Sequence, residues 1–325
     1  MQMLNGARVA SAISCLAELG IPDLVHDGPR SAEELAVQIG ADAQALYRLM
    51  RATASVGVLS EGPDAKFSET PASAVLRRDG NPSLRDVAIM GGREWRARAW
   101  AKLTDCVRTG KPVLEQFYGA SSSEYLNQHP EEARIFDATM TELSAIDSLA
   151  VADAYSFEGI RSIVDVGGGH GRLLATILGG NPTLTGTLFE LAHVIDRARN
   201  GPLEPLLDRC TLVSGDMFSS VPKGADAYIM KHIIHNWPDD ACVKVLRLCR
   251  GSVNAEGRLV VVDKLIQPGN DYSPSKFLDL QMLIFHGGCE RTEQQFRELF
   301  AASGWRFTRL IRTAGPDWIM EGVPA

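Results

Sequence analysis

The sequence predicts an α/β protein in two parts. A mostly helical, winged-helix half precedes a Rossmann-like domain whose parallel sheet carries one antiparallel strand. Three observations predict this. After Phe157, short β-branched runs alternate with helical stretches, the pattern of βαβ units. One of those runs feeds a glycine-rich turn that opens a helix, as ligand-binding parallel sheets do. Before residue 150 the periodicity is helical apart from one short hairpin. A chain of 325 residues is also too long for one ordinary core.

In the first half, residues 7–19 carry apolar side chains at helical spacing, and Gly20-Ile21-Pro22 ends that helix. Ser31-Ala32-Glu33-Glu34 reads as a capping box for a helix over 32–39, with Gly40 as its stop. A second helix spans 42 to about 56, burying Leu46, Leu49, Met50 and Ala52. Two extended pieces, Val58-Leu59-Ser60 and Lys66-Phe67-Ser68, flank the turn Glu61-Gly62-Pro63-Asp64. Helix, turn, helix and hairpin make a winged helix. A DNA-reading version would concentrate Lys and Arg on the second helix and the wing. Here Arg48 and Arg51 stand on the helix, while Glu61, Asp64 and Glu69 outnumber Lys66 on the wing, so the module reads as a dimerisation element. Residues 122–154 are helical again, with Phe136 and Met140 on one face.

In the second half, strands are expected over 162–166, 187–190, 210–214, 227–230 and 258–263. A final pair, 306–312 and 318–322, is joined by Thr313-Ala314-Gly315-Pro316-Asp317, which supplies the antiparallel strand. The domains are therefore drawn at 1–152 and 153–325.

Composition excludes several functions. A net charge of −7 argues against a nucleic-acid partner. The six cysteines show no C-x-x-C pair, so neither a zinc site nor a redox dithiol is signalled, and reduced thiols in a cytoplasmic enzyme are expected. The N-terminal residues lack the form of a signal peptide, and no run approaches the ~20 apolar residues that span a bilayer. No metal site is expected, because the histidines lack carboxylate or histidine partners at ligand spacing along the chain.

The strongest motif is Ile163-Val164-Asp165-Val166-Gly167-Gly168-Gly169-His170-Gly171-Arg172. A dinucleotide fingerprint needs glycine where Arg172 stands. The spacing is instead an acid, Asp165, followed by alternating glycines at Gly167, Gly169 and Gly171. That suits a ligand without phosphates, such as an adenosine carrying a charged amino-acid tail. Glu190 ends the next strand about 20 residues on, where an acid accepts ribose hydroxyls. Asp216-Met217 follows the third strand, offering a carboxylate and an apolar face to an adenine.

On these residues the chain resembles the plant-type and bacterial small-molecule O-methyltransferases, the caffeate O-methyltransferase-like family. The carrying stretches are VDVGGGHG (164–171), LFELAHVI (188–195), GDMF (215–218), MKHIIHNWPDD (230–240) and GGCERT (287–292). The resemblance implies S-adenosylmethionine as cofactor, S-adenosylhomocysteine as product, and a homodimer formed through the N-terminal domain. It implies Gly167, Glu190, Asp216, Met217, Lys231 and Trp237 as cofactor contacts, with Glu190 where the family more often has Asp.

Methylating a phenol is helped by a base, since its pKa of about 10 keeps it protonated near neutrality. The resemblance implies His235 as that base and gives His232 no such role. A histidine base needs a carboxylate to fix its tautomer. Glu290 and Asp263 are the family-matched candidates; a helix N-terminal acid before 292–300 is the other role for Glu290, but motif and spacing favour the catalytic one. Asn236 replaces the family's usual Asp beside the base, which removes a charge. For the acceptor, an aromatic or polyketide-like molecule, the resemblance implies Met90, Trp100, Phe136, Met140, Asn236, Met282, Phe285 and His286. His286 and Gly91 stand where plant relatives carry Asn. The alternative is an enzyme of the same fold and cofactor with hydroxylase or pericyclase-like chemistry. An NAD-dependent reductase is disfavoured by Arg172 and by the lack of Tyr-x-x-x-Lys in the catalytic half.

Overall fold

A computed structural model describes residues 3–325. The chain forms two compact units, Met1–Lys102 with Ser123–Leu143, and Leu103–Ser122 with Ser144–Ala325. The division falls inside the helix Pro130–Ala154, where no composition change marks it, whereas the sequence draws a single line at 152/153.

In the first unit, helices Gly6–Glu18, Ala32–Ile39 and Ala43–Ala54 pack with a three-stranded antiparallel sheet of β1 (Arg30–Ser31), β2 (Ser60–Glu61) and β3 (Lys66–Ser68), ordered β1-β3-β2. Local chemistry sets the helix starts. Ser31 Oγ accepts the Glu34 N–H at 3.3 Å while the Glu34 carboxylate accepts the Ser31 N–H at 3.2 Å, a complete capping box. Asp42 Oδ1 caps the next helix through the Ala45 N–H at 2.8 Å. Leu16, Leu35, Leu46, Met50 and Phe67 form the winged-helix core.

Three local expectations change here. The first helix is followed by a further turn, Ile21–Leu24, because Gly20 adopts a left-handed conformation that redirects the chain without ending helicity. The first hairpin strand is Ser60–Glu61, not 58–60. Thr70 Oγ1 donates to the carbonyls of Gly57 and Val58, holding that stretch in the preceding turn. The helix expected over 122–154 is two helices, Ser122–Gln128 and Pro130–Ala154, since a proline cannot continue a helix but begins one well.

The second unit is a seven-stranded sheet of β4 (Ser162–Val166), β5 (Thr185–Glu190), β6 (Cys210–Ser214), β7 (Ala227–Lys231), β8 (Arg258–Lys264), β9 (Trp305–Arg312) and β10 (Asp317–Pro324). Its order is β6-β5-β4-β7-β8-β10-β9, and β10 alone runs against its neighbours. Both faces are covered, so successive residues of a central strand enter different cores. Val260 and Val262 pack with Ile163, Leu174 and Ile177, while Val261 packs with Tyr228, Phe296, Phe300 and Trp305. The carboxyl ends of β4 to β8 therefore lie along one edge of the sheet, which is where this fold binds ligands.

Candidate active site

The cofactor edge is built by the glycine turn after β4. Gly167 has φ 73°, and a Cβ there would come within 2.5 Å of Ile233 Cδ1. At Gly168 a Cβ would lie 2.3 Å from Asp165 Oδ2, so the turn is pressed directly onto that carboxylate. Asp165 is fully buried beneath the turn, and neither of its oxygens has a hydrogen-bond partner among the described residues. Burial, reinforced by Glu190 and opposed by Lys231, pushes it up to about 7. It acts on the site through its field and by shaping the turn, not as an exposed contact.

Glu190, at the end of β5, is pinned from both sides. Its Oε1 accepts the Gly169 N–H at 3.3 Å and its Oε2 accepts the Leu191 N–H at 2.6 Å. Asp216, just past β6, is exposed and caps its own turn, accepting from the Phe218 N–H and the Ser219 hydroxyl, each at 2.9 Å. Those bonds hold its carboxyl below the usual range. Met217 is half-buried, and Trp237, 38% exposed, meets Phe218 edge-on at 4.7 Å. Lys231 ends β7, where burial depresses its ammonium against the pull of Asp147, Asp317 and Asp165. Acids on three neighbouring strands around the glycine turn fit a cationic adenosyl ligand. Gly167, Gly169, Glu190, Asp216, Met217, Lys231 and Trp237 would hold it, with Asp165 buried beneath the turn rather than in contact.

The second element is a one-turn 3₁₀ segment, Ile234–Asn236, between β7 and the helix Asp239–Ser252. His235 is buried, and its Nδ1 lies 2.7 Å from Glu290 Oε1. Asp263 Oδ1 stands 3.1 Å from the same nitrogen without taking its hydrogen bond, while Asp263 Oδ2 accepts the His235 N–H at 3.2 Å. Burial disfavours the imidazolium, but Asp263 and Glu290 outweigh it and raise the His235 pKa. With Nδ1 directed at carboxylates, Nε2 carries the lone pair available to a substrate. Burial and Glu290 push Asp263 up to about 7 despite His235. Asn236 donates from Nδ2 to the His232 carbonyl at 2.9 Å, a bond that an ionised Asp could not make.

The carboxylate partners that spacing along the chain does not supply come from distant strands. His235 gathers Asp263 and Glu290, and His232 gathers Asp317 with Asp147 nearby. His232 has φ 56°, its Nε2 lies 3.0 Å from both Asp317 oxygens, and its ring is stacked on His235 at 5.5 Å. Burial, aided by Lys231 and Lys264, outweighs Asp317 and pushes this imidazole down to about 3. Lys264 Nζ sits 3.0 Å from Asp317, so this cluster already contains a cation of its own.

The expected acceptor residues divide between the two units. In the first, Met90 is buried, Trp100 and Phe136 are half-buried, and Met140 is 38% exposed, with Phe136 packing against the cluster of Ala17, Ile89, Met90 and Ile135. In the second, Met282 and Phe285 are buried on the helix Pro274–Phe285, and His286 is exposed just past its end. The segment 103–122 runs along that helix, with Val113 donating to the Ile284 carbonyl at 3.2 Å and Ser122 Oγ to the Phe285 carbonyl at 2.8 Å. Sequence reasoning missed Arg291 and Asp279, which frame Glu290. Arg291 stood inside GGCERT, but only the glutamate carried a recognisable chemical role.

The chain matches the O-methyltransferase domain family over residues 100–306 and the O-methyltransferase dimerisation domain family over residues 1–79. It belongs to the O-methyltransferase family. It is 39% identical to the phenazine O-methyltransferase PhzM of Lysobacter antibioticus, over 100% of this chain and 95% of that protein. It is 38% identical to the mitomycin biosynthesis 6-O-methyltransferase of Streptomyces lavendulae, over 98% of this chain and 92% of that one. Among solved structures, the calicheamicin biosynthesis methyltransferase CalO1 with bound S-adenosylhomocysteine superposes with TM-score 0.90 at 33% identity, covering 100% of this chain and 96% of that chain. This O-methyltransferase is therefore S-adenosylmethionine-dependent. No helix among its described residues is long and apolar enough to cross a membrane.

Proposed function

We propose that this O-methyltransferase methylates a hydroxyl of a small aromatic or polyketide-like natural product, with His235 as general base. The observation that carries the reading is the buried imidazole whose Nδ1 is held 2.7 Å from Glu290 and 3.1 Å from Asp263. Bound S-adenosylmethionine would supply an electrophilic methyl group at the same sheet edge. His235 Nε2 takes the hydroxyl proton, and the two carboxylates stabilise the imidazolium that forms. Glu290 fixes the tautomer by accepting from Nδ1, and Asp263 orients the turn through the His235 N–H.

Met90, Trp100, Phe136, Met140, Asn236, Met282, Phe285 and His286 are the residues we assign to the acceptor. Their aromatic and thioether groups suit a flat ring system. The mitomycin and phenazine names of the relatives agree with polycyclic acceptors. We also assign a homodimer through the N-terminal unit. That unit carries the dimerisation-domain match and exposes Met3 (97%), Leu4 (80%) and Val56 (49%), apolar side chains that a second copy would cover.

The test is incubation with S-adenosylmethionine and a panel of phenols, naphthols and phenazinols. Formation of S-adenosylhomocysteine together with a product one CH₂ heavier supports the reading. Consumption of an acceptor to give a product of any other mass, or an isomer of unchanged mass, with no demethylated cofactor, would favour the hydroxylase or pericyclase-like alternative.

A further inference from the structure

We propose that Arg291 is a positioning residue, a clamp that holds the His235 turn in register with Glu290. This rests on the reading of His235 as the base, and it explains how a single 3₁₀ turn can present a buried imidazole with fixed geometry.

The turn is weak by itself. It comes just after His232, whose backbone is in the left-handed region; its backbone-to-backbone bonds are those from Asn236 and the adjoining Trp237 to the Ile233 and Ile234 carbonyls, beside the His235 N–H bond to Asp263 Oδ2. Cys242 Sγ gives the Ile234 and Trp237 carbonyls weak bonds at 3.3 and 3.4 Å, and Arg291 adds charged ones. The Arg291 side chain is 1% exposed, and Nη1 donates to the Ile234 carbonyl at 3.0 Å while Nη2 donates to the Trp237 carbonyl at 2.8 Å. Those two carbonyls flank His235 on either side. Nε and Nη2 also reach Asp239 Oδ1, at 2.9 and 2.6 Å, which ties in the first residue of the following helix.

The clamp and the base's carboxylate are adjacent in sequence, so the Glu290-Arg291 dipeptide grips the turn twice. Glu290 holds the imidazole and Arg291 holds the backbone around it. The dipeptide is itself anchored. The Glu290 N–H donates to Asp279 Oδ1 at 2.9 Å, and the Arg291 carbonyl accepts the Ile266 N–H at 2.9 Å. Gly288 removes the last obstacle, since a Cβ there would stand 2.1 Å from the His235 carbonyl oxygen. A plain packing role does not call for a guanidinium. Among the described residues its only carboxylate partner is Asp239, whose side chain is 72% exposed, and its remaining donors are spent on carbonyls. Lysine, a point charge with no planar fork, could not span both carbonyls.

The experiment uses the full-length protein bound to S-adenosylhomocysteine and follows the downfield Nδ1–H proton resonance of His235, assigned by its absence in His235→Asn. In Arg291→Lys the resonance is expected to be lost, while S-adenosylhomocysteine affinity stays within a few-fold and melting stays cooperative. An unchanged resonance in that folded variant overturns the proposal. Should Arg291→Lys fail to fold, Asp239→Ala decides. It loosens the clamp from its exposed side and should speed exchange of that proton several-fold, whereas unchanged exchange overturns the clamp. The readout is independent of the base assignment. Turnover surviving in His235→Ala would remove the base role while leaving the resonance test intact.

Discussion

At the residue scale the site is decided by how carboxylates are distributed around two imidazoles. His235 faces Glu290 and Asp263 and is raised, so it passes from imidazolium to neutral base above the ordinary histidine value of about 6.5. Turnover should therefore rise with pH through a midpoint above that value. The stability consequence has the opposite sense. A raised histidine stabilises the fold fully below its unfolded value, and that contribution is lost as pH rises through the folded one. A pH–rate profile set beside melting temperatures over the same range checks both, and a His235→Gln variant should flatten the melting trend. We further expect His235→Ala to lower turnover ~10²-fold or more, as removal of a general base does. Its S-adenosylhomocysteine affinity by calorimetry should stay within a few-fold. Retained turnover would assign the proton to another group.

At the element scale, the glycine turn and the strand hairpin make separable predictions. Gly168→Ala pushes a methyl toward Asp165 Oδ2 (2.3 Å) and Leu188 Cδ1 (2.7 Å), both of fully buried side chains. We expect a loss of ~1–3 kcal/mol of stability, as overpacking costs, with S-adenosylhomocysteine binding weakened in parallel. Calorimetric titration and thermal melts would show both, and unaltered binding would mean that the turn has slack. The β9–β10 hairpin is tied by Glu321, which accepts from Tyr155 Oη at 2.6 Å and Thr308 Oγ1 at 2.7 Å and pairs with Arg309. Despite burial, Arg309, Tyr155 and Thr308 hold its carboxyl down at about 2. Its contribution is therefore present above the unfolded value of about 4.3 and is lost as pH falls toward 2. Glu321→Gln should destabilise the protein by ~1–3 kcal/mol at pH 7, and by much less at the acid end of that window. Urea melts at the two pH values measure the difference.

At the scale of the whole molecule, the two units have different tasks. The second unit contains the full parallel sheet and every group assigned to the cofactor and the base. The first has its own core and a winged-helix frame whose wing carries Glu61, Asp64 and Glu69 against Lys66. We expect sedimentation equilibrium at micromolar concentration to give twice the chain mass of 35.3 kDa. A truncation lacking the first helices should run as a monomer, and a monomeric full-length chain would refute the homodimer.

What the sequence determined by itself was everything encoded in short stretches of chain. The capping box at Ser31, the strands at 162–166 and 210–214, and the glycine turn after Asp165 are local, because periodicity and φ requirements act between near neighbours. The resemblance offered Glu290 and Asp263 as candidate partners of His235. Only the tertiary structure gave the contacts and distances, since Asp263 and Glu290 lie 28 and 55 residues from His235 along the chain. The same holds for His232 with Asp317, 85 residues apart, and for Arg291 on the His235 turn. Charges at such separations leave no periodic trace. Whether a buried imidazole becomes a base or stays inert is set by which carboxylates the folded sheet carries to it.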